Sequence, residues 1–251
     1  MLEIEIKGKR ILKKIYIILC LLFVSLHAEM VYSAKGTLIG KIMDIRVNHH
    51  ANAKKYRTRI DIKAVGLAKM MSDGLKESHA SYGTVRRGEY YAKEYKIDKT
   101  YKDIHYIRKY LFDYKKKKIT KVSIKWQKGK KLYENKEILK YFAHNDILTL
   151  YHNIMRFKKK NKSGSYAIAL AGAEKEGGKL TFSLPKGARL QGEQKALGMK
   201  NSEVIKLFMK RSFFSGGKGN LVFGVDKKGI VKRGTINSIK SLGKVTLKRI
   251  K

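Results

Sequence analysis

The sequence predicts a mainly β protein, built as a single curved antiparallel sheet or open barrel with one packed helix and a minor helical turn. Most of the chain alternates apolar and polar residues with a period of two, as strands with one wet face do. One amphipathic stretch, at about residues 146–157, has helical spacing instead. A single proline and a single cysteine in 251 residues mean that few strands are interrupted and that no disulfide holds the fold.

The first strands follow an N-terminal apolar segment. The run from residue 35 to residue 47 is aliphatic and β-branched and predicts one strand, and residues 49–53 predict a turn. From Tyr56 to Ala64, apolar side chains alternate with charged ones, which indicates a second strand. A minor helical turn is predicted at about residues 66–73, where Gly74 supplies a left-handed end.

Residues 75–126 combine aromatic and basic residues in one block. Eight tyrosines fall here, at Tyr82, Tyr90, Tyr91, Tyr95, Tyr101, Tyr106, Tyr110 and Tyr114. Such rings can stack on nucleobases or sugars, but tyrosine also packs well across strands beneath lysine stems, and this interpretation is favoured. If the block has a partner, the residues predicted to bind an anion are Arg86, Arg87, Lys93, Lys96, Lys99, Lys102, Arg108 and Lys109.

The helix predicted at about residues 146–157 is the element on which the strands are expected to pack. Its apolar residues recur at helical spacing, and Asn145 or Asp146 can cap its first turn. Asp146, Tyr151 and Arg156 are predicted to anchor this helix on the sheet rather than to take part in catalysis.

Further strands are predicted after the helix. The alternating runs lie at about residues 166–171, 180–184, 205–209, 221–225, 230–236 and 245–250. Pro185 marks the end of one of them. Because no linker divides the chain, residues 34–251 are expected to form a single β-rich domain.

The first 33 residues resemble a secretory signal peptide. Five basic residues precede about a dozen apolar residues, a run that is too short to span a bilayer comfortably. Cleavage is expected near Ala28 or Ser33, and an uncleaved anchor is the alternative. Removal of this segment takes away Cys20, so the mature protein cannot use thiol catalysis. The signal peptide predicts a periplasmic location.

The charge is extreme, with 58 Lys and Arg against 20 Asp and Glu and a formal net charge of +38. Such a field attracts anionic lipid, lipopolysaccharide or another envelope polymer, with peripheral membrane contact as one form of it. The alternative is a lysine-rich composition that only solubilises the surface. No nucleic-acid partner is expected in the periplasm.

Three short pieces of the chain form a pattern: a strand that runs into Val65-Gly66-Leu67, a helix that opens with Asp146-Ile-Leu-Thr-Leu-Tyr151 and closes at Met155-Arg156, and a terminal hairpin, Val225-Asp226-Lys-Lys-Gly-Ile230. In these pieces the chain resembles the secreted bacterial family known as domain of unknown function 3108. The resemblance implies an exported, β-rich protein and brings no established activity.

The sequence offers no pattern for chemistry. His49 and His50 point opposite ways if they lie on a strand, and His144 is two helical turns from His152, so no metal site is predicted. No catalytic residue and no cofactor are predicted. The favoured hypothesis is non-enzymatic binding of a lipid or other amphiphile between helix and sheet, which requires a cavity of about 300 Å³. The alternative is an interaction protein that uses a basic, tyrosine-rich face on anionic envelope polymers; an enzyme or a nucleic-acid binder is less favoured.

Overall fold

The structure is a computed structural model, and it describes residues 28–160, 164–174, 177–210, 218–227 and 229–251. Residues 1–27, which include most of the predicted signal peptide, lie outside the described residues. So do residues 161–163, 175–176, 211–217 and 228, the last of which falls in the hairpin at residues 225–230.

Strands dominate the architecture, as predicted. The N-terminal half contains β1 (Ala28–Gly36), β2 (Gly40–Ala51), β3 (Lys55–Ala64), β4 (Lys76–Arg86), β5 (Glu89–Tyr101), β6 (Ile104–Asp113), β7 (Lys118–Gln127) and β8 (Lys130–Ile138). The C-terminal half contains β9 (Asn145–Asp146), β10 (Gly164–Ala171), β11 (Lys179–Leu184), β12 (Glu203–Lys210), β13 (Lys218–Val225), β14 (Val231–Ile239) and β15 (Gly243–Arg249). The helices are α1 (Gly66–Met71), α2 (Ile147–Lys160) and α3 (Gly187–Leu197).

The fifteen strands form one large, open, curved sheet. Its order is β8-β7-β6-β5-β4-β3-β2-β1-β15-β14-β13-β12-β11-β10-β9. Two antiparallel meanders, β1 to β8 and β10 to β15, are joined at the centre because β1 pairs with both β2 and β15. Strand β9 pairs with β10 in parallel. Helix α2 lies on the concave face, and the main core fills the space between this helix and the sheet. No described helix has the length and apolar character that crossing a membrane requires.

The tight turns show why the meander can be so regular. Arg87 with Gly88, and Lys128 with Gly129, have positive φ in the turns between β4 and β5 and between β7 and β8. Two consecutive residues of this kind give the twist that joins neighbouring antiparallel strands directly.

The N-terminal strands differ from the prediction. The single strand predicted at residues 35–47 is split by a turn at residues 37–39, and the predicted turn at residues 49–53 begins later. His49 and His50 extend β2, since the side chain of Asn52 accepts hydrogen bonds from the backbone N–H groups of Lys54 and Lys55 and makes the turn there. Residues 28–33 also belong to the sheet, so the domain begins before residue 34.

Helix α3 was not predicted. It packs on the convex face, where Leu197 joins Val204 and Val222 in a small second core. The helix ends at Gly198, whose φ of 62° allows a left-handed cap. The position of Gly224 on β13 lets the sulfur of Met199 approach, because a Cβ there would lie 2.5 Å from it.

Candidate binding site on the concave face

The two faces of the sheet have different environments, and strand register decides which side chain lies on which. Residues directly opposite in an antiparallel pair share a face. Ser81 bonds to Asp146 beside α2 and therefore faces the concave side, and the register continues from Ser81 through Tyr95 and Tyr110 to Lys121. Because side chains alternate between the two faces along a strand, every second residue from these positions on β5 to β8 also faces the concave side.

The basic residues predicted to bind an anion do not form one surface. Lys99 and Arg108 point to the concave side, whereas Lys96 and Lys109 are opposite one another on the convex side. The other members lie on or beside turns or at a strand irregularity: Arg86, Arg87, Lys93 and Lys102. The alternation of bases with tyrosines therefore separates the cations rather than gathering them.

The grooves of the convex face are large, and several of the cations that line them pair with a neighbouring carboxylate. One groove of about 720 Å³ and another of about 940 Å³ run across β2 to β5. Lys41 lies 2.6 Å from Asp44, Arg59 lies 2.8 Å from Asp61, and Lys96 lies 2.8 Å from Asp98. Charges that are already matched leave little attraction for an added anion.

The inward positions of β6, β7 and β8 form a different surface, called here the β6–β8 inner face. Its nine members are Tyr106, Arg108, Tyr110, Lys121, Ser123, Lys125, Tyr133, Asn135 and Glu137. Three of them are cations and one is a carboxylate. Tyr110 is fully buried, whereas Tyr133 is 43% exposed, so the surface passes from the core out to solvent.

Arg108 is the central cation of this face. Its Nε and one terminal nitrogen donate to the Tyr106 hydroxyl at 2.9 and 2.6 Å, and the other terminal nitrogen donates to the Tyr110 hydroxyl at 3.5 Å. Among the described residues no carboxylate lies within salt-bridge distance of Arg108. Burial opposes the charge of Arg108, but the two tyrosines outweigh it, and the pKa of the guanidinium stays above its ordinary value.

Lys121 and Lys99 are satisfied by acids on the same concave side. Lys121 lies 2.6 Å from Glu137 and 3.9 Å from Glu174. Lys99 lies 3.1 Å from Glu77, which also bonds to His79 at 2.6 Å. Burial alone would raise the pKa of Glu77, but Lys99 and His79 more than offset it and hold that pKa at about 2.

A second polar cluster lies beneath α2 and ties the helix to the sheet. Asp146, which is fully buried, accepts hydrogen bonds from the backbone N–H groups of Leu148 and Thr149 and from the hydroxyls of Ser81 and Thr149. Burial raises the pKa of Asp146, and these hydrogen bonds oppose the rise. Asp146 therefore caps the N-terminus of α2 and links it to Ser81 on β4.

The other two predicted anchors act further along α2. Tyr151 donates to the carbonyl oxygen of Gly229, and Arg156 donates to that of Arg87. The helix is therefore tied to the β4–β5 turn on one side and to the C-terminal meander on the other.

The sequence did not reveal a histidine pair under α2. The rings of His49 and His152 lie 4.3 Å apart, and His152 stacks on Tyr90 at 4.2 Å. Thr58 bonds to both histidines, at 2.8 and 3.1 Å. The separation of His49 and His152 in the chain hides this pair, although the inward position of His49 follows once β2 is extended. Within the described ranges no three His, Cys, Asp or Glu side chains are grouped to hold a metal ion.

The space between α2 and the sheet is filled. The cavity lined by Leu150, Tyr151, Ile154 and the facing strands measures only about 10 Å³. An amphiphile needs about 300 Å³. Away from the helix, the β6–β8 inner face reaches solvent at the exposed strand β8.

Comparison with known proteins describes the fold. No family model matches the sequence, and no curated protein matches it. The structure is similar to the crystal structure of a β-barrel-like protein of domain of unknown function DUF1849 from Brucella abortus, with a TM-score of 0.52 and 9% identity over 91% of this chain and 98% of that chain. At that identity the likeness shows a β-rich, β-barrel-like fold and nothing finer.

Proposed function

We propose that the protein is exported to the periplasm and binds an anionic polymer of the cell envelope on its β6–β8 inner face, without catalysis. The observation that carries the proposal is Arg108, a half-buried cation whose partners among the described residues are tyrosine hydroxyls rather than a carboxylate. Burying an unpaired charge is costly, so such a group is more readily explained by a ligand than by stability.

The shape of this face favours an extended ligand over an enclosed one. The edge strand β8 is exposed throughout, and Leu132 and Tyr133 are 51% and 43% exposed. An extended polymer can lie along such an exposed face and continue past the edge strand β8 into solvent. The filled space beneath α2 argues against binding of an amphiphile between helix and sheet, the hypothesis that the sequence favoured, because about 10 Å³ holds no acyl chain.

The formal charge of +38 supports the same partner class. It attracts an anionic surface at low ionic strength, while the inner face supplies contacts that survive at short screening lengths. Binding by diffuse attraction should therefore weaken more with added salt than binding to a specific face.

We also propose that the chain is a divergent member of the family of domain of unknown function 3108. The support is local: Asp146 and Arg156, which carry the resemblance, are the residues that fix α2 to the sheet. A solved structure from that family tests this, because it should show a helix that begins at an aspartate bonded to strand hydroxyls.

The binding experiment compares two double variants that each remove two positive charges. Arg108→Gln with Lys125→Gln alters the inner face, and Lys96→Gln with Lys109→Gln alters the convex face of neighbouring strands. Binding to purified lipopolysaccharide is measured at about 0.01 M salt, where screening acts over about 30 Å, and at physiological salt, where it acts over about 8 Å.

We expect the inner-face variant alone to lose binding at physiological salt. Equal losses in both variants would mean diffuse attraction only. Failure of the unaltered protein to bind at physiological salt would end the proposal.

A further inference from the structure

Arg108 has hydrogen-bonding capacity that the described protein does not use. A guanidinium carries five N–H donors, and three hydrogen bonds from Arg108 reach tyrosine oxygens. Two donors therefore have no acceptor among the described residues. A guanidinium in this state is suited to a planar oxyanion, which it binds through two parallel hydrogen bonds.

The tyrosines hold Arg108 in place without neutralising it. Tyr106 accepts two of its hydrogen bonds, and the guanidinium carbon lies 5.2 Å from the centre of the Tyr106 ring. The Tyr106 hydroxyl in turn donates to Ser123 at 3.5 Å. Because the side chain is fixed before a ligand arrives, little rotamer entropy is lost on binding.

The register places further polar and aromatic groups beside Arg108. Ser123 and then Asn135 lie opposite it on β7 and β8, and Lys125 and Tyr133 lie opposite Tyr106. Side chains that face each other across strands are about 5 Å apart. A hydroxyl, an amide, a cation and a partly exposed aromatic ring thus share one face with Arg108, within two strands of it.

We propose that this cluster is a subsite for an anionic sugar, with Arg108 holding its carboxylate or phosphate group. Asn135 on the exposed strand β8 bonds to a sugar hydroxyl, and the C–H face of the ring packs on Tyr133, which is 43% exposed. The inference rests on the proposed function only for the source of the sugar. A phospholipid head group shares the phosphate but not the ring, so neutral and charged sugars separate the two.

The test uses the full chain with small probes at physiological ionic strength. Galacturonic acid supplies a carboxylate, glucose 6-phosphate supplies a phosphate, glucose is the neutral control, and glycerol 3-phosphate stands for a lipid head group. Calorimetry gives the affinity, and the nuclear magnetic resonance signal of the Arg108 Nε–H reports contact at this side chain.

The matched variants are Arg108→Gln and Arg59→Gln. Arg59 is an arginine bonded to Asp61 on the convex face, so its removal changes the charge equally. We expect Arg108→Gln to weaken binding of both anionic sugars by tenfold or more, roughly the effect of losing charged hydrogen bonds. Arg59→Gln should change the affinity less than twofold, and Arg108→Lys should retain part of it.

Several outcomes would overturn the inference. They are no saturable binding of either anionic sugar up to about 10 mM, equal loss in the two variants, equal binding of glucose, or glycerol 3-phosphate binding as tightly as glucose 6-phosphate. If Arg108→Gln does not fold, Arg108→Lys and the resonance shift carry the test. Lipopolysaccharide binding to the inner face without binding of either anionic sugar would remove the subsite but not the proposed function, and sugar binding without polymer binding would do the reverse.

Discussion

Lys96 and Lys99 lie on the same strand, but one turns to solvent and the other to the core. Lys96 pairs with Asp98 at 2.8 Å on the convex face, and its side chain is 36% exposed. Lys99 pairs with Glu77 at 3.1 Å on the concave side, and its side chain is 14% exposed. The two lysines should therefore affect different properties.

Replacing Lys99 with Met should destabilise the fold on the order of 3 kcal/mol, because it leaves the buried Glu77 carboxylate without its cation. Lys96→Met removes the same charge from a surface pair and should cost less than about 1 kcal/mol. Urea unfolding at pH 7 measures both. Equal costs would show that Glu77 is satisfied without Lys99.

The histidine pair under α2 gives the fold a pH dependence. Burial, followed by the neighbouring His49, lowers the pKa of His152 well below 6.5. The unfolded chain takes up a proton near pH 6.5 that the folded chain does not, so this contribution to stability is present above that pH and is lost as the pH falls.

We expect stability to fall between pH 7 and pH 5, with a slope from His152 that approaches about 1.4 kcal/mol per pH unit. His152→Gln should flatten that slope, whereas Asn48→Gln, a change opposite Arg59 on β2 that removes no titrating group, should not. Burial raises the pKa of Asp146, so this group makes the opposite contribution to the pH dependence of stability. That contribution is the same in all three proteins and cancels when their profiles are compared. Parallel pH profiles for the three would contradict the account.

At this scale the N-terminal cap of α2 could be predicted from the sequence, whereas the surroundings of Arg108 could not. Asp146 could be recognised locally, because a cap acts on residues two and three positions away. The partners of Arg108 could not be assigned, since period-two alternation does not say which of two faces is covered. The proximity of His49 to His152 depends on tertiary packing between β2 and α2.

Strand β1 is the element whose role departs most from the sequence prediction. It pairs with β2 and β15 and so joins the two meanders. Met30 and Tyr32 on this strand are fully buried, and the Tyr32 hydroxyl donates to the carbonyl oxygen of Val231 at 2.9 Å. Cleavage after Ser33 would remove both side chains, whereas cleavage after Ala28 keeps them.

Under the proposed export, we therefore predict that the mature chain begins at Glu29. A chain that begins at Glu29 should melt cooperatively, whereas one that begins at Ala34 should lose several kcal/mol of stability, since two large side chains leave the core. N-terminal sequencing of the protein from cells identifies the site, and thermal unfolding compares the two chains. A mature chain that begins at Ala34 and unfolds at the same temperature would contradict the role of β1.

Helix α3 shows why one element escaped prediction. Its apolar positions are few, and it is held by Leu197 against strand valines of the convex face. Tertiary packing therefore overrides a weak local pattern. The usable signals were Pro185 before the helix and Gly198 after it, which bound a segment of helix length.

The whole molecule is an open curved sheet wrapped around one helix. Its mainly β character was predictable because alternation and turn chemistry are local. The pairing of β1 with β15 was not, since their separation along the chain leaves no local signal. In the resulting strand order, β6 to β8 lie at one edge of the sheet.

The central claim at this scale is that the β6–β8 inner face, rather than the whole basic surface, meets the anionic partner. Lysine acetylation in the presence of lipopolysaccharide at physiological salt tests it most directly. Lys125 reports the inner face, and Lys96 and Lys109 report the convex face of neighbouring strands. We predict that the partner protects Lys125 while Lys96 and Lys109 react as before; protection of Lys96 and Lys109 with Lys125 unchanged would contradict the account.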